Sequence, residues 1–319
     1  MFKFGAVTID VSHPRDFSQY LFDNCEEAKY VAVYNDSFRS QEEVEIFAER
    51  MNLKVCSSLE EMADMVDVAF IHTCNWDKHL DYAMPFIKKG KYVFIDKPIV
   101  GNTKDIARLE KLVADGAKIL GTSALRYCYE AQETLRDMEE KGVKAIHTVT
   151  TSGVDEFNYA IHAVELICAL HATTRAKTVR HIAHNEVEGH KYDSYLIKFA
   201  DGTTAEYIAL TTKFMKFNTS VISSNPAGAS DYCFSVDNMK LYEAMLNQVV
   251  NFLAGRENIL TTTDKMCDAI RIMLAGKASL LNGDVEVDID SKMVDEVSFD
   301  GKAFWDEYAA GAGPMFVRE

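Results

Sequence analysis

Over residues 2–122, short apolar runs alternate with segments of helical period, and this alternation leaves few possible architectures. Residues 2–9, 30–34, 68–72, 92–95 and 118–122 read as strands, and residues 16–24, 40–51, 76–89 and 103–115 read as helices. Strands that reach one another only through helices must run parallel, so the pattern predicts a doubly wound parallel sheet. Local signals agree. Ser57 with Glu60 reads as a capping box before a short helix over 59–63, and Gly90 after Lys88 and Lys89 reads as a helix stop.

Within that frame the run Tyr92-Val93-Phe94-Ile95 ends abruptly at Asp96-Lys97-Pro98. Four consecutive apolar residues suit a strand covered on both faces, and Pro98 cannot donate to a ladder, so pairing stops near Lys97. An ammonium group thus stands at a strand's carboxyl end, where open α/β sheets bind ligands. Taken alone, Lys97 reads more readily as a solvated turn lysine than as a site residue.

Several residues together resemble the glucose-fructose oxidoreductase, inositol dehydrogenase and MocA family. Asp96-Lys97-Pro98 is similar to its Glu-Lys-Pro signature, and Asn75 with His79 to its Asn followed one helical turn later by His. Arg126-Tyr127 resembles its Arg-aromatic pair, and Asn158-Tyr159-Ala160-Ile161-His162 its Asp-x-Gly-x-His. The resemblance implies a Rossmann domain over residues 1–122 and an α+β domain over 123–319, whose mostly antiparallel open sheet carries the substrate face and the subunit contact. It also implies NAD or NADP as cofactor, with Lys97 and His162 as catalytic residues. Asn75, His79, Asp96 and Lys97 would meet the cofactor, and Arg126, Asn158, Tyr159 and His162 the substrate. That substrate would be a sugar, an inositol or a related polyol, oxidised or reduced at a secondary alcohol in a homodimer or homotetramer.

The first turn departs from the family. Where G-x-G-x-x-G is usual, the chain has Thr8-Ile9-Asp10-Val11-Ser12-His13, without the glycines that permit a tight turn and close approach of backbone to pyrophosphate. Thr8, Ser12 and His13 are the candidate phosphate contacts, with Arg15 nearby, because the start of a helix still favours an anion. The same residues also read as a plain helix cap with Pro14 in the first turn. At the end of the second strand, Asn35 and Asp36 stand where an acidic residue would accept bonds from an NAD ribose. Ser37 with Arg39 could instead take the extra phosphate of NADP, and Asn35-Asp36-Ser37 is also an ordinary turn.

Beyond residue 122 the pattern changes: helices over 129–141 and 159–170 flank a strand over 145–152. Closely spaced strands follow over 177–186, 192–199, 204–210 and 216–223, and then helices over 239–254 and 263–281. Short turns between strands mean antiparallel pairing. With 49 acidic against 34 basic residues, the net charge of -15 argues against nucleic acid or an anionic membrane as partner. No apolar run approaches the length of a bilayer, so a cytoplasmic protein is expected. Seven scattered cysteines without a Cys-x-x-Cys pair suit reduced thiols. His181, His184 and His190 lack ligand company at a recognised spacing, so no metal is expected there or elsewhere. The segment from Ala309 to Pro314 reads as a loosely ordered end or a latch onto a neighbouring subunit. Two other functions fit the same residues: a non-redox sugar-binding or assembly protein, and an NAD-assisted glycoside hydrolase or lyase.

Overall fold

The computed structural model describes residues 1–225 and 231–318. Its first sheet contains β1 (Phe2–Val7), β2 (Ala28–Tyr34), β3 (Lys54–Val55), β4 (Val68–Ile71), β5 (Tyr92–Ile95) and β6 (Lys118–Gly121), in the order β3-β2-β1-β4-β5-β6. Every pairing in it is parallel. Helices α1 (His13–Asn24), α2 (Gln41–Met51), α3 (Leu59–Met65), α4 (His79–Lys88) and α5 (Thr103–Ala114) supply the crossovers. Covered on both faces, β4 is apolar and buried at all four positions. The point where strand order reverses lies between β1 and β4, so a crevice opens beyond Val7, Ile71 and Ile95.

Local chemistry sets the helix ends. Pro14 fits the first turn of α1, which begins three residues before the expected position 16. The α2 cap is a full capping box between Ser40 and Glu43. The expected box at Ser57 and Glu60 is shifted by one residue: Ser58 Oγ accepts from Glu61 N at 3.1 Å, and Ser57 N and Oγ donate to Glu61 Oε2. Gly90 ends α4 with a φ of 67°, as its place after two lysines predicts.

The second half contains α6 (Tyr129–Glu140), β7 (Ala145–Ser152), α7 (Ala160–Leu170), β8 (Ala176–Val187), β9 (His190–Phe199), β10 (Thr204–Leu210), β11 (Asn218–Ser223) and β12 (Tyr232–Ser235). Helices α8 (Leu241–Leu253) and α9 (Thr263–Leu281) follow, then β13 (Val287–Asp288), α10 (Lys292–Asp295) and α11 (Gly301–Gly311). Seven strands form an open sheet in the order β12-β11-β7-β10-β9-β8-β13. All pairs are antiparallel except β7 with β10. Strand alternation buries Ala205, Tyr207 and Ala209 on one face, against which α7 packs. The second half also returns to the first: α8 lies on α1, with Tyr20 Oη donating to Asn247 Oδ1 at 3.1 Å.

The segment after α9 corrects an expectation. Residues 309–311 belong to α11, and the chain beyond folds onto α2 of its own molecule. Phe316 is 2% exposed against Phe47, a burial that contributes about 2 kcal/mol. Among the described residues no helix is long and apolar enough to cross a membrane.

Candidate active site in the crevice between the two halves

Beyond the carboxyl ends of β1, β4 and β5 lies a cavity of about 360 Å³, within the range of small-ligand sites. Four elements build its polar wall. The β1–α1 turn brings Val11, Ser12, His13 and Arg15, the end of β4 brings His72, Thr73 and Cys74, and the end of β5 brings Asp96 and Lys97. The approach to α7 brings Asn158 and Tyr159. Tyr242 of α8, Tyr308 of α11, Arg39, and Ala312, Gly313 and Met315 complete it.

Lys97 is held rigidly. Its Nζ donates to Asn158 O and to Asn158 Oδ1, each at 3.0 Å, and lies 5.1 Å from the centre of the Tyr159 ring. Burial pushes its pKa down, a shift that Asp96 and Asp155 only partly oppose. Two of the three hydrogen-bonding positions on Nζ point to Asn158, and the third is left for a ligand.

Behind Lys97 stands a carboxylate gripped by two imidazoles. Asp96 Oδ2 is 2.5 Å from His13 Nδ1 and 3.0 Å from His72 Nδ1, and Asp96 Oδ1 accepts from Lys97 N. Burial alone would raise the Asp96 pKa, but His13 and His72 outweigh it and hold the carboxyl well below its usual range. Burial lowers the pKa of His72, whose Nε2 faces Tyr30 Oη at 3.2 Å. These three ligating atoms lie within 4.8 Å of one another, a donor set that a metal ion also accepts, although Oδ2 already serves both rings.

The first turn keeps the shape of a glycine turn without glycine. Thr8 has a φ of 63°, a conformation that is strained for a β-branched residue, and its buried Oγ1 has no hydrogen-bond partner. Asp10 turns back into the protein rather than lining the cavity. Its Oδ2 is drawn back onto Thr73 Oγ1 at 2.8 Å and Cys74 N at 3.2 Å, and its side chain lies outside the cavity wall. The start of α1 has no side-chain cap, and Ser12, His13 and Arg15 around it line the cavity. These residues fit the phosphates of a nicotinamide dinucleotide at a helix start, with side chains in place of glycine amides.

Several sequence candidates serve the scaffold instead. Asn35 Oδ1 accepts from Ile9 N at 3.2 Å, and Asp36, exposed beyond β2, accepts from Tyr82 Oη at 2.6 Å through Oδ1. Arg39 spends its guanidinium on Asp10 O, Glu43 and Gly313 O, which leaves no fork for an extra phosphate. Asn75 caps the 3₁₀ turn at Asp77 N, and His79 bridges Thr73 O and Ile99 O. Arg126 lies outside the cavity: its Nε donates to Glu165 Oε2 at 2.5 Å in a buried ion pair. His162 is 7% exposed, with Nδ1 at 2.6 Å from Ser123 Oγ and its ring against Tyr159, so it stands behind the wall. Far from the cavity, Asp193 Oδ1 contacts both His181 Nε2 and His184 Nδ1 at 2.9 Å, a carboxylate partnership the spacing did not reveal.

His72, Tyr242 and Tyr308 line the cavity without having been singled out in the sequence. The position of His72 at a predicted strand end was the available signal; nothing local marks the two tyrosines, which arrive from elements more than 140 residues away.

Residues 13–123 match the family model described as oxidoreductase family, NAD-binding Rossmann fold. Among solved structures, scyllo-inositol dehydrogenase from Lactobacillus casei with bound NAD(H) and scyllo-inositol superposes with a TM-score of 0.74 at 15% identity, covering 91% of this chain and 100% of that one. Myo-inositol dehydrogenase from Lactobacillus casei, with NAD(H) and myo-inositol, gives 0.74 at 13% identity, covering 91% and 97%. UDP-N-acetylglucosamine 3-dehydrogenase from Acidithiobacillus ferrooxidans gives 0.69 at 13% identity, covering 88% and 98%. No curated protein matches the sequence.

Proposed function

Because residues 13–123 belong to the oxidoreductase family with the NAD-binding Rossmann fold, we propose that the chain is an NAD(P)-dependent oxidoreductase acting on a secondary alcohol of a sugar, inositol or related polyol. The observation that carries this reading is Lys97, a buried lysine with lowered pKa, pinned by Asn158 at the carboxyl end of β5 inside the cavity. The nicotinamide cofactor supplies the hydride acceptor or donor. In the oxidative direction Lys97, in its deprotonated form, takes the hydroxyl proton at Nζ, and Asn158 fixes which position on that nitrogen faces the substrate. His13, Ser12 and Arg15 hold phosphate at the start of α1. Tyr159 and Tyr242 bound the substrate space and exclude water. His162 orients Tyr159 from behind and completes the proton path. The domain boundary falls near residue 122, and the enzyme is a cytoplasmic homo-oligomer.

Fluorescence titration with NADH and NADPH tests the reading, followed by turnover assays on inositols, hexoses and nucleotide sugars. Saturable nucleotide binding with turnover of at least one polyol is expected. A folded protein that binds neither nucleotide at millimolar concentration sinks the reading and leaves the non-redox sugar-binding function in its place.

A further inference from the structure

We propose that residues 312–318 are a displaceable strap lying across the adenosine half of the dinucleotide site, an inference that rests on the cofactor reading above. In a doubly wound sheet the dinucleotide spans the switch point, and its adenosine ribose is read at the carboxyl end of β2. In this molecule that edge is residues 35–39, where the strap takes Arg39, α11 covers Ser37 and Phe38, and Asp36 stays exposed. Asp36 accepts from Tyr82, and Ser37 Oγ accepts from Trp305 Nε1 at 2.9 Å. The Phe38 ring packs on Trp305 and Tyr308, and Arg39 Nη1 donates to Gly313 O at 2.7 Å.

From Gly313 the chain continues along α2. Met315 N donates to Glu43 Oε1 at 2.8 Å, Arg50 Nη2 donates to Val317 O at 2.5 Å, and Phe316 fills a pocket against Phe47. Ala312, Gly313 and Met315 form one wall of the cavity, while Lys97 and Tyr159 stand in it beyond the end of β5. The strap therefore borders the cavity on the side of the β2 edge, opposite the Lys97 end. Three hydrogen bonds, the Arg318–Glu49 ion pair and the Phe316 side chain hold the strap, so a ligand that needs the space can exchange contacts with it. A site that is competent only when the strap is off binds the whole dinucleotide more weakly by the fraction of molecules in the open state. A half-dinucleotide escapes that penalty.

The test compares reduced nicotinamide mononucleotide with NADH by fluorescence titration, on the full chain, on a variant lacking residues 312–319, and on Phe316→Ala. For the full chain, the two ligands should bind with affinities within about threefold of each other. Both variants should bind NADH about 10-fold tighter and leave the mononucleotide within about twofold. Hydrogen exchange on the full chain provides a readout that needs no variant to fold: added NADH should speed exchange over residues 312–318. The strap is overturned if NADH already binds far tighter than the mononucleotide in the full chain, if the variants weaken or do not change NADH binding, or if NADH protects residues 312–318. Should neither ligand bind any form, the cofactor reading fails and the strap fails with it. Mononucleotide binding without any gain for NADH in the variants overturns the strap alone.

Discussion

Lys97 Nζ and Asn158 form a two-point clamp, with both the backbone and side-chain oxygens of Asn158 at 3.0 Å from the same nitrogen. This clamp joins the end of β5 to the approach to α7 across the crevice. It leaves one position on nitrogen for a proton from the substrate. Lys97→Ala should therefore lower turnover by about 100-fold or more, with melting temperature and nucleotide affinity nearly unchanged. Asn158→Ala should lower turnover less, because the lysine survives but is no longer aimed. Near-normal turnover of Lys97→Ala, measured once a substrate is found, would remove the lysine from the chemistry.

The pKa shifts at the site also set a dependence of stability on pH. Burial, with Lys97 nearby, holds His162 well below its ordinary value, so the folded protein keeps the ring neutral while the unfolded chain binds a proton below about pH 6.5. The stability this contributes is present above pH 6.5 and is lost as pH falls toward the folded-state pKa. His72, lowered by burial, works in the same direction. Melting temperature should thus fall between pH 7 and pH 5, and His162→Gln should flatten that fall. The same variant separates two roles: turnover lost with melting intact supports a place in the proton path. A collapsed melting temperature with kcat preserved in the surviving fold marks a core histidine bonded to Ser123.

The doubly wound half was legible because its signals are local. Strand runs such as Val93-Phe94-Ile95 and helix stops such as Gly90 after Lys88 and Lys89 act within a few residues, and the switch point follows from strand order. Legible for the same reason was the placement of Lys97 at a strand end. What escaped depends on long-range packing. Whether Asp36 faces a ligand or the hydroxyl of Tyr82, and whether Arg126 faces the cavity or Glu165, is settled by neighbours 46 and 39 residues away. The segment beyond residue 311 is short, with an apolar Met315-Phe316-Val317 centre but no periodicity, so its docking on Arg39 and Glu43 left no trace in the pattern.

Thr8 offers a test of the altered turn that needs no ligand. Its φ of 63° and its unpartnered buried hydroxyl are both unfavourable. Relief of the strain is worth about 1–3 kcal/mol and removal of the orphan hydroxyl about 1–3 kcal/mol. Against these stand about 1 kcal/mol each for glycine's chain entropy and for the lost buried methyl. Thr8→Gly should therefore raise stability by about 1 kcal/mol in chemical denaturation. A destabilised variant would show that the threonine side chain packs better than its strain costs.

The outer face of the second sheet leads to a prediction about assembly. Alternation that buries Ala205, Tyr207 and Ala209 turns Ile208 outward, and on the flanking strands Ile182 and Ile222 are 44% and 48% exposed. Leu196 of β9 and Val149 of β7 are half-buried between them. A broad open sheet with branched apolar side chains on its outer face loses free energy to water and regains it by stacking on a second copy. The second copy would bring the same face, since a two-fold axis makes each patch its own partner. Sedimentation at micromolar concentration should show a dimer or tetramer. Ile182→Asp and Ile222→Asp, which place charge on either side of Ile208 in that interface, should yield monomer without lowering the melting temperature of the isolated chain. A wild-type protein that sediments only as monomer would assign these isoleucines to an ordinary solvent-facing surface.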